Sequence, residues 1–279
     1  MSEARQSYTL DDLIPELGTA GIDLTQLNAA EASAGNISVF VRELSGFEQR
    51  YHRTQEIPLP VVADALAGGW LVVSGTGRRL RDIRRAPEAN LCILYIQDGG
   101  TSAVLYSGVG LRPTSEFNSH LAVHNDQVGQ NQLDFHAVVH AQPRYLTYLS
   151  HHPAYATTAS LNAHLLRWEP ETIMAFPEGI ALIPFQVPGT PEQMKATIAQ
   201  MRSHRAVVWQ RHGILTRSDA SIQKASDLVE YAEAVAHFEY LNLQVGEPSR
   251  GISLEDLVGI CEYWKISAPV LELIKASVP

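Results

Sequence analysis

The sequence predicts an α+β fold built on a largely antiparallel sheet, as one domain over residues 1–279. Three observations predict it. Short apolar runs such as Ile37–Val41, Trp70–Ser74 and Leu91–Ile96 read as buried strands. The turn Asp98-Gly99-Gly100 joins one run to the next directly, which points to antiparallel neighbours. Strands and helices mix without a strict βαβ alternation, which disfavours a doubly wound parallel sheet.

Taken in order, residues from about 8 to 32 read as a helix, with Leu10, Leu13, Ile14 and Leu17 spaced for one buried face and Asp11 and Asp12 near its start. Gly35-Asn36 opens the strand Ile37–Val41, and the polar residues 44–56 read as a loop. Trp70–Ser74 is a strand running into Gly75-Thr76-Gly77, and Leu91–Ile96 pairs with Ser102–Tyr106. Pro113 to Glu116 begins a helix that carries His120 and His124. Ala137–Ala141 is a strand with His140 at its mouth, and a helix follows from Pro143 to Leu149. Ile180–Phe185 and Ala206–Trp209 supply further strands, and Ser221–Val245 is the clearest amphipathic helix, ending at Gly246. Ser253 caps a last helix.

Composition excludes several classes of function. With 45% hydrophobic residues the chain can bury a large core, and a net charge of -9 argues against nucleic acid as partner. The two cysteines, Cys92 and Cys261, offer no disulfide framework or thiolate cluster. No signal peptide and no apolar run long enough for a bilayer is read, so a cytoplasmic protein without membrane partners is expected.

Four constellations carry chemistry. Gly75-Thr76-Gly77 precedes Arg78, Arg79 and Arg81 and reads either as an anion nest or as a tight turn with a basic edge. Thr114-Ser115-Glu116 sits at a helix start, suited to phosphate or to simple capping, with Glu116 a candidate base if burial raises its pKa. Glu116, His120 and His124 follow at i, i+4 and share one helical face, as a metal pair or as buried packing. His136 shares strand parity with His140, but about 13 Å between their Cα atoms, at roughly 3.3 Å per residue, argues against joint ligation of one ion. His140 and His212 each end an apolar strand, where a divalent metal would find converging ligands.

In order along nearly the whole chain, Gly35-Asn36-Ile37-Ser38, Ser74-Gly75-Thr76-Gly77-Arg78, Pro113-Thr114-Ser115-Glu116, Val139-His140-Ala141-Gln142, Phe176-Pro177-Glu178-Gly179, Pro184 through Pro188-Gly189-Thr190, and His212-Gly213 resemble the class II (metal-dependent) aldolase/adducin-head family. The resemblance implies a three-layer α/β/α arrangement and a C4 homotetramer with active sites at subunit interfaces. It implies that Asn36, Gly75, Thr76, Gly77, Thr114 and Ser115 cradle a substrate phosphate. Glu116 matches the catalytic acid/base, and Glu171 matches an acidic residue that reaches a neighbouring subunit's site. His140 and His212 match two of three zinc-binding histidines. The chain departs from the family at Gln142, where His-x-His becomes His140-Ala141-Gln142. An amide oxygen is a poorer zinc ligand than imidazole, though acceptable to harder ions. Three outcomes are open: a metal held by His140, His212 and either Gln142 or Glu116; recruitment of another histidine such as His151; or an empty site. The implied cofactor is a divalent metal, zinc first and manganese or cobalt as alternatives. The implied reaction is aldol cleavage of a small phosphorylated ketose; a sugar-phosphate epimerase or dehydratase, or a non-catalytic adducin-like binding protein, are the alternatives. Four lysines, none in a segment resembling a Schiff-base site, argue against a class I mechanism.

Overall fold

A computed structural model describes residues 7–108, 110–245 and 248–276. The strands are β1 (Ser7–Thr9), β2 (Asn36–Val41), β3 (Glu43–Ser45), β4 (Arg53–Pro58), β5 (Trp70–Ser74), β6 (Leu91–Ile96), β7 (Ser102–Tyr106), β8 (Phe135–Ala141), β9 (Ala181–Ile183), β10 (Ala206–Trp209) and β11 (Gly213–Ser218). The helices are α1 (Leu10–Gln26), α2 (Pro87–Asn90), α3 (Phe117–Asn131), α4 (Arg144–Leu149), α5 (Thr158–Leu165), α6 (Pro170–Ala175), α7 (Pro191–Met201), α8 (Ile222–Asn242), α9 (Leu254–Trp264) and α10 (Val270–Lys275).

Nine strands form one sheet in the order β4-β7-β6-β5-β2-β8-β11-β10-β9. Every pairing is antiparallel except β9 with β10. Both faces are covered. Ile37, Val39, Val41, Ala137 and Val139 point to a core shared with α1 and α8. Residues of opposite parity, such as Phe40, Val73, Val138 and Leu215, face α3 and α7. Burial on both sides is why β2, β5, β6 and β8 read as unbroken apolar runs rather than as alternations. The α+β fold with a mostly antiparallel sheet is thus as the sequence predicts.

Three expectations need correction. The first helix stops at Gln26 rather than near residue 32, because Asn28 and Ala32 adopt positive φ of 59° and 51° and turn the chain. Residues 44–56 are not all loop: β3 pairs with β1, and β4 forms the exposed edge of the large sheet. An edge strand that is polar on both faces carries no period for a sequence reading to find. The strand expected over 180–185 is confined to Ala181–Ile183. The long amphipathic helix is α8, and Gly246, its expected end, lies outside the described residues. Ser253 does cap α9, its Oγ accepting the Asp256 N–H at 3.1 Å.

A buried carboxylate ties α8 to the segment around α5. Glu239, 1% exposed, accepts from Tyr155 Oη at 2.7 Å and from Arg167 and Trp168 Nε1, each at 2.8 Å. Burial pushes this carboxyl up, but the bonds from His164, Arg167 and Tyr155 outweigh it and hold it at about 2. A carboxylate depressed on folding stabilises the fold above its unfolded pKa and loses that contribution as pH falls through its folded one. Glu239 should therefore contribute roughly 3 kcal/mol at neutral pH. In urea titrations, Glu239→Gln should be much less stable than wild type at pH 7. The gap should narrow between about pH 4.5 and pH 2.

Candidate metal and substrate site

The site forms where β2, β8 and the β10–β11 hairpin end side by side under the start of α3. Register places Asn36 opposite His140, and His140 opposite Leu215. Glu116 is the N-cap residue of α3. Its Oε2 accepts the Asn36 Nδ2–H at 2.9 Å and lies 3.4 Å from His140 Nε2. Its Oε1 lies 3.4 Å from His212 Nε2. All three side chains are largely withdrawn from water, with Glu116 4% and His140 1% exposed.

Electrostatics follow from that burial. Desolvation pushes the Glu116 carboxyl up, but His140, the Asn36 bond and His212 together bring it below its ordinary value. The expectation that burial would raise it is reversed, because the same burial brings partners with it. His212 is driven down to about 4, by desolvation first and by His140 second. Glu116 is therefore an anion at pH 7, beside a His212 ring that burial keeps neutral.

Each imidazole is braced from behind. His140 Nδ1 donates to the Ile214 carbonyl at 3.0 Å, which leaves Nε2 bare and directed at Glu116. Trp209 backs both rings, 4.7 Å from His140 and 5.2 Å from His212, and anchors its own Nε1–H on Thr197 Oγ1 at 2.9 Å. Gln193 accepts the Gly189 N–H at 2.8 Å and reaches His212 Nδ1 at 3.4 Å. Sequence reading missed Gln193 and Trp209 as site residues, since a helical glutamine and a strand tryptophan carry no local sign of the ring they support.

The ligand atoms of Glu116, His140 and His212 all lie within 4.8 Å of one another. Glu116 Oε1 and His140 Nε2 are buried without hydrogen-bond partners among the described residues. A buried polar atom left unpaired costs about 1–3 kcal/mol, and two facing lone-pair donors of this kind suit a divalent cation. Gln142, half-buried, follows His140 with its Cγ beside Gly213. His151, the substitute ligand considered from sequence, is exposed beyond α4 and does not belong to this cluster.

The other expected residues divide. Gly75 bridges to Pro113, Thr114 N–H donates to the Ser74 carbonyl at 3.0 Å, and Ile37 N–H donates to Ser74 Oγ at 3.1 Å. Asn36, 75–77 and 114–116 are thus brought together. The anion nest expected at the glycine turn is mostly spent, however. The amides of Gly75, Thr76 and Arg78 donate to the carbonyls of Asn90, Arg112 and Gly75. What remains for an anion is chiefly the hydroxyls of Thr76, Thr114 and Ser115. Glu171 is exposed on α6 and does not join the ligand cluster of its own chain.

This geometry has counterparts among known proteins. Residues 16–240 match the class II aldolase and adducin N-terminal domain family. The chain belongs to that family. It is 30% identical over 236 residues to rhamnulose-1-phosphate aldolase of Bacteroides thetaiotaomicron, covering 84% of this chain and 87% of that one. It is 32% identical over 248 residues to the enzyme of the same name from Listeria welshimeri, covering 85% and 86%. A sugar-phosphate aldolase structure from Thermotoga maritima superposes with a TM-score of 0.74 at 26% identity, over 87% of this chain and 99% of its own. The protein is a class II aldehyde-lyase. No helix among the described residues is long and apolar enough to cross a membrane.

Gly213 sets how closely the hairpin approaches β8. A Cβ there would meet the Ala141 carbonyl oxygen at 2.3 Å and His140 Cε1 at 3.1 Å. Gly213→Ala should lose about 1–3 kcal/mol of stability, as overpacked sites do, read as a lower denaturation midpoint. An unchanged midpoint would mean that the hairpin tip yields freely.

Proposed function

We propose that the protein cleaves a phosphorylated ketose of the rhamnulose 1-phosphate type to dihydroxyacetone phosphate and an aldehyde, L-lactaldehyde for rhamnulose 1-phosphate itself. The observation that carries this is the buried Glu116–His140–His212 cluster lying beside the hydroxyls of Thr76, Thr114 and Ser115. His140, His212 and Glu116 would hold a divalent ion, zinc in the first instance, with Gln142 alongside. Such an ion, when bound, polarises the substrate carbonyl and offsets the charge that develops as the carbon–carbon bond breaks.

The chain's own residues do the rest. Asn36 fixes Glu116 Oε2, so the carboxylate is oriented before substrate arrives. Glu116, an anion at neutral pH, takes or returns a proton at the carbon that becomes nucleophilic in the condensation direction. Trp209 and the Ile214 carbonyl keep the His140 ring in place. Thr76, Thr114 and Ser115 receive the phosphate beside Asn36, on the turn that Gly75 and Gly77 shape. Glu171, exposed on α6, would serve a neighbouring subunit in a four-fold tetramer of a cytoplasmic enzyme.

Elemental analysis of the purified protein should find close to one divalent ion per chain, and His140→Ala should lose it. No ion after incubation with zinc, manganese and cobalt would sink the metal-dependent mechanism. With metal present, Glu116→Gln should lower kcat for release of dihydroxyacetone phosphate by about 10²–10⁴-fold. Product analysis with several sugar phosphates separates cleavage from epimerisation or dehydration.

A further inference from the structure

A polar seam runs through the otherwise apolar contact between α3 and the sheet. Glu116, His120 and His124 are successive i, i+4 residues, a step of about 6.0 Å along a helix. Asn36 and Ser38 on β2 are an i, i+2 pair, a step of about 6.6 Å along a strand. Register sets His140 beside Asn36 and His136 beside Phe40, on the same face. The two periods nearly match, so each helical residue meets a polar partner on the sheet. Glu116 meets Asn36 and His140. His120 Nδ1 and His124 Nε2 each lie 2.7 Å from Ser38 Oγ. His124 Nδ1 lies 2.8 Å from His136 Nδ1. Ser38, His120, His124 and His136 are all 0% exposed.

Each of these contacts needs one proton. Burial holds His120 and His136 down at about 3 and His124 well below its ordinary value, so all three rings are neutral. A neutral imidazole has one N–H and one bare nitrogen, and Ser38 has one O–H. Between the two facing Nδ1 atoms only one ring carries the proton. Two orders then satisfy every contact. In the first, His136 Nδ1–H donates to His124, His124 Nε2–H to Ser38, and Ser38 O–H to His120 Nδ1. The last proton then sits on His120 Nε2. In the second, every step reverses and His120 Nε2 is bare. A mixed order leaves the Ser38 hydrogen without an acceptor or sets two bare atoms against each other.

The surrounding charge chooses between them. His120 Nε2 is buried without a partner among the described residues, and of the groups acting on this ring, His124, Glu116 and His140, the carboxylate is Glu116, one turn earlier. An N–H beside a carboxylate is favoured over a lone pair beside one. We propose that His136, His124, Ser38 and His120 form one directional hydrogen-bond chain that holds His120 as its Nε2–H tautomer. Its N–H dipole steadies the Glu116 carboxylate, which makes His120 a positioning residue. Its consequence for turnover rests on the lyase reading above; the tautomer pattern does not.

Ring-nitrogen NMR shifts of 15N-histidine-labelled protein test it without any variant. His120 and His124 should each show a single Nε2–H tautomer and His136 the Nδ1–H form. A proton on His120 Nδ1 overturns the proposal. Ser38→Ala should release His120 into a tautomer mixture; a His120 pattern unmoved by that change also overturns it. At the remote end, His136→Leu should unlock both His124 and His120. His136→Asn, whose amide can donate from the place of Nδ1, should restore them. On a sugar phosphate that wild type cleaves, Ser38→Ala should lower kcat on the order of 10-fold with KM unchanged. An inactive wild type would remove the lyase reading and leave the tautomer pattern to decide the chain.

Discussion

Burying the Glu116 carboxylate is the constraint on which the rest of the site depends. An ionised carboxylate taken out of water costs several kcal/mol unless donors or charge meet it. Its nearest partners are not the amides of α3, to which the Glu116 side chain makes no capping bond. They come from Asn36 on β2, His140 on β8 and His212 at the tip of the β10–β11 hairpin. Those strands must therefore be neighbours, and in the order β2-β8-β11 they are. The antiparallel pairing that puts Asn36 opposite His140 also carries Ser38 and His136 onto the same face. One requirement at the site thus extends as a polar line into the core.

Three buried glutamates show how environment separates chemically identical groups. Glu239 sits among the Arg167 guanidinium, the Trp168 indole and the Tyr155 hydroxyl and is held at about 2. Glu233 accepts the amides of Tyr145 and Leu146 at the start of α4, at 2.9 and 3.0 Å, and burial leaves its carboxyl raised. Glu116 lies between these cases, lowered by His140, the Asn36 amide and His212 rather than by an arginine. The first two brace helices: Glu239 joins α8 to Arg167, and Glu233 pins α4 just beyond Gln142. The third is the carboxylate whose partners can change when a ligand arrives, which is the property a proton-carrying group needs.

The sequence made the sheet legible because both of its faces are buried, so each inner strand stands out as an apolar run. It made the two histidines that face Glu116 legible because each interrupts such a run at its end. Strand β4 was hidden because its residues are polar and exposed on an edge. The Glu116, His120 and His124 spacing was visible along one helix, but its meaning needed the register of β2 against β8, which no local pattern encodes. Ser38 looks like any strand serine until two imidazoles are found on its oxygen. The glycine turn shows the opposite case. Its sequence suggests free amides, and the fold spends several of them on its own carbonyls.

The departure at Gln142 weighs less once the geometry is known. Catalytic zinc sites need three protein ligands and an open position, and two histidines with one glutamate form a sufficient set. Here Glu116, His140 and His212 already converge, so Gln142 changes the neighbourhood of the centre without lowering its ligand count below three. The burden moves to Glu116, which in the proposed mechanism must both face the ion and handle a proton. Its two oxygens are not equivalent. Oε2 is fixed by the Asn36 amide, whereas Oε1 has no hydrogen-bond partner among the described residues. That asymmetry lets one carboxylate divide the two duties between its oxygens, and it depends on Asn36, a residue whose side chain touches neither imidazole's hydrogen bonds. In the proposed mechanism Asn36 would therefore serve the acid–base apparatus as well as the phosphate cradle.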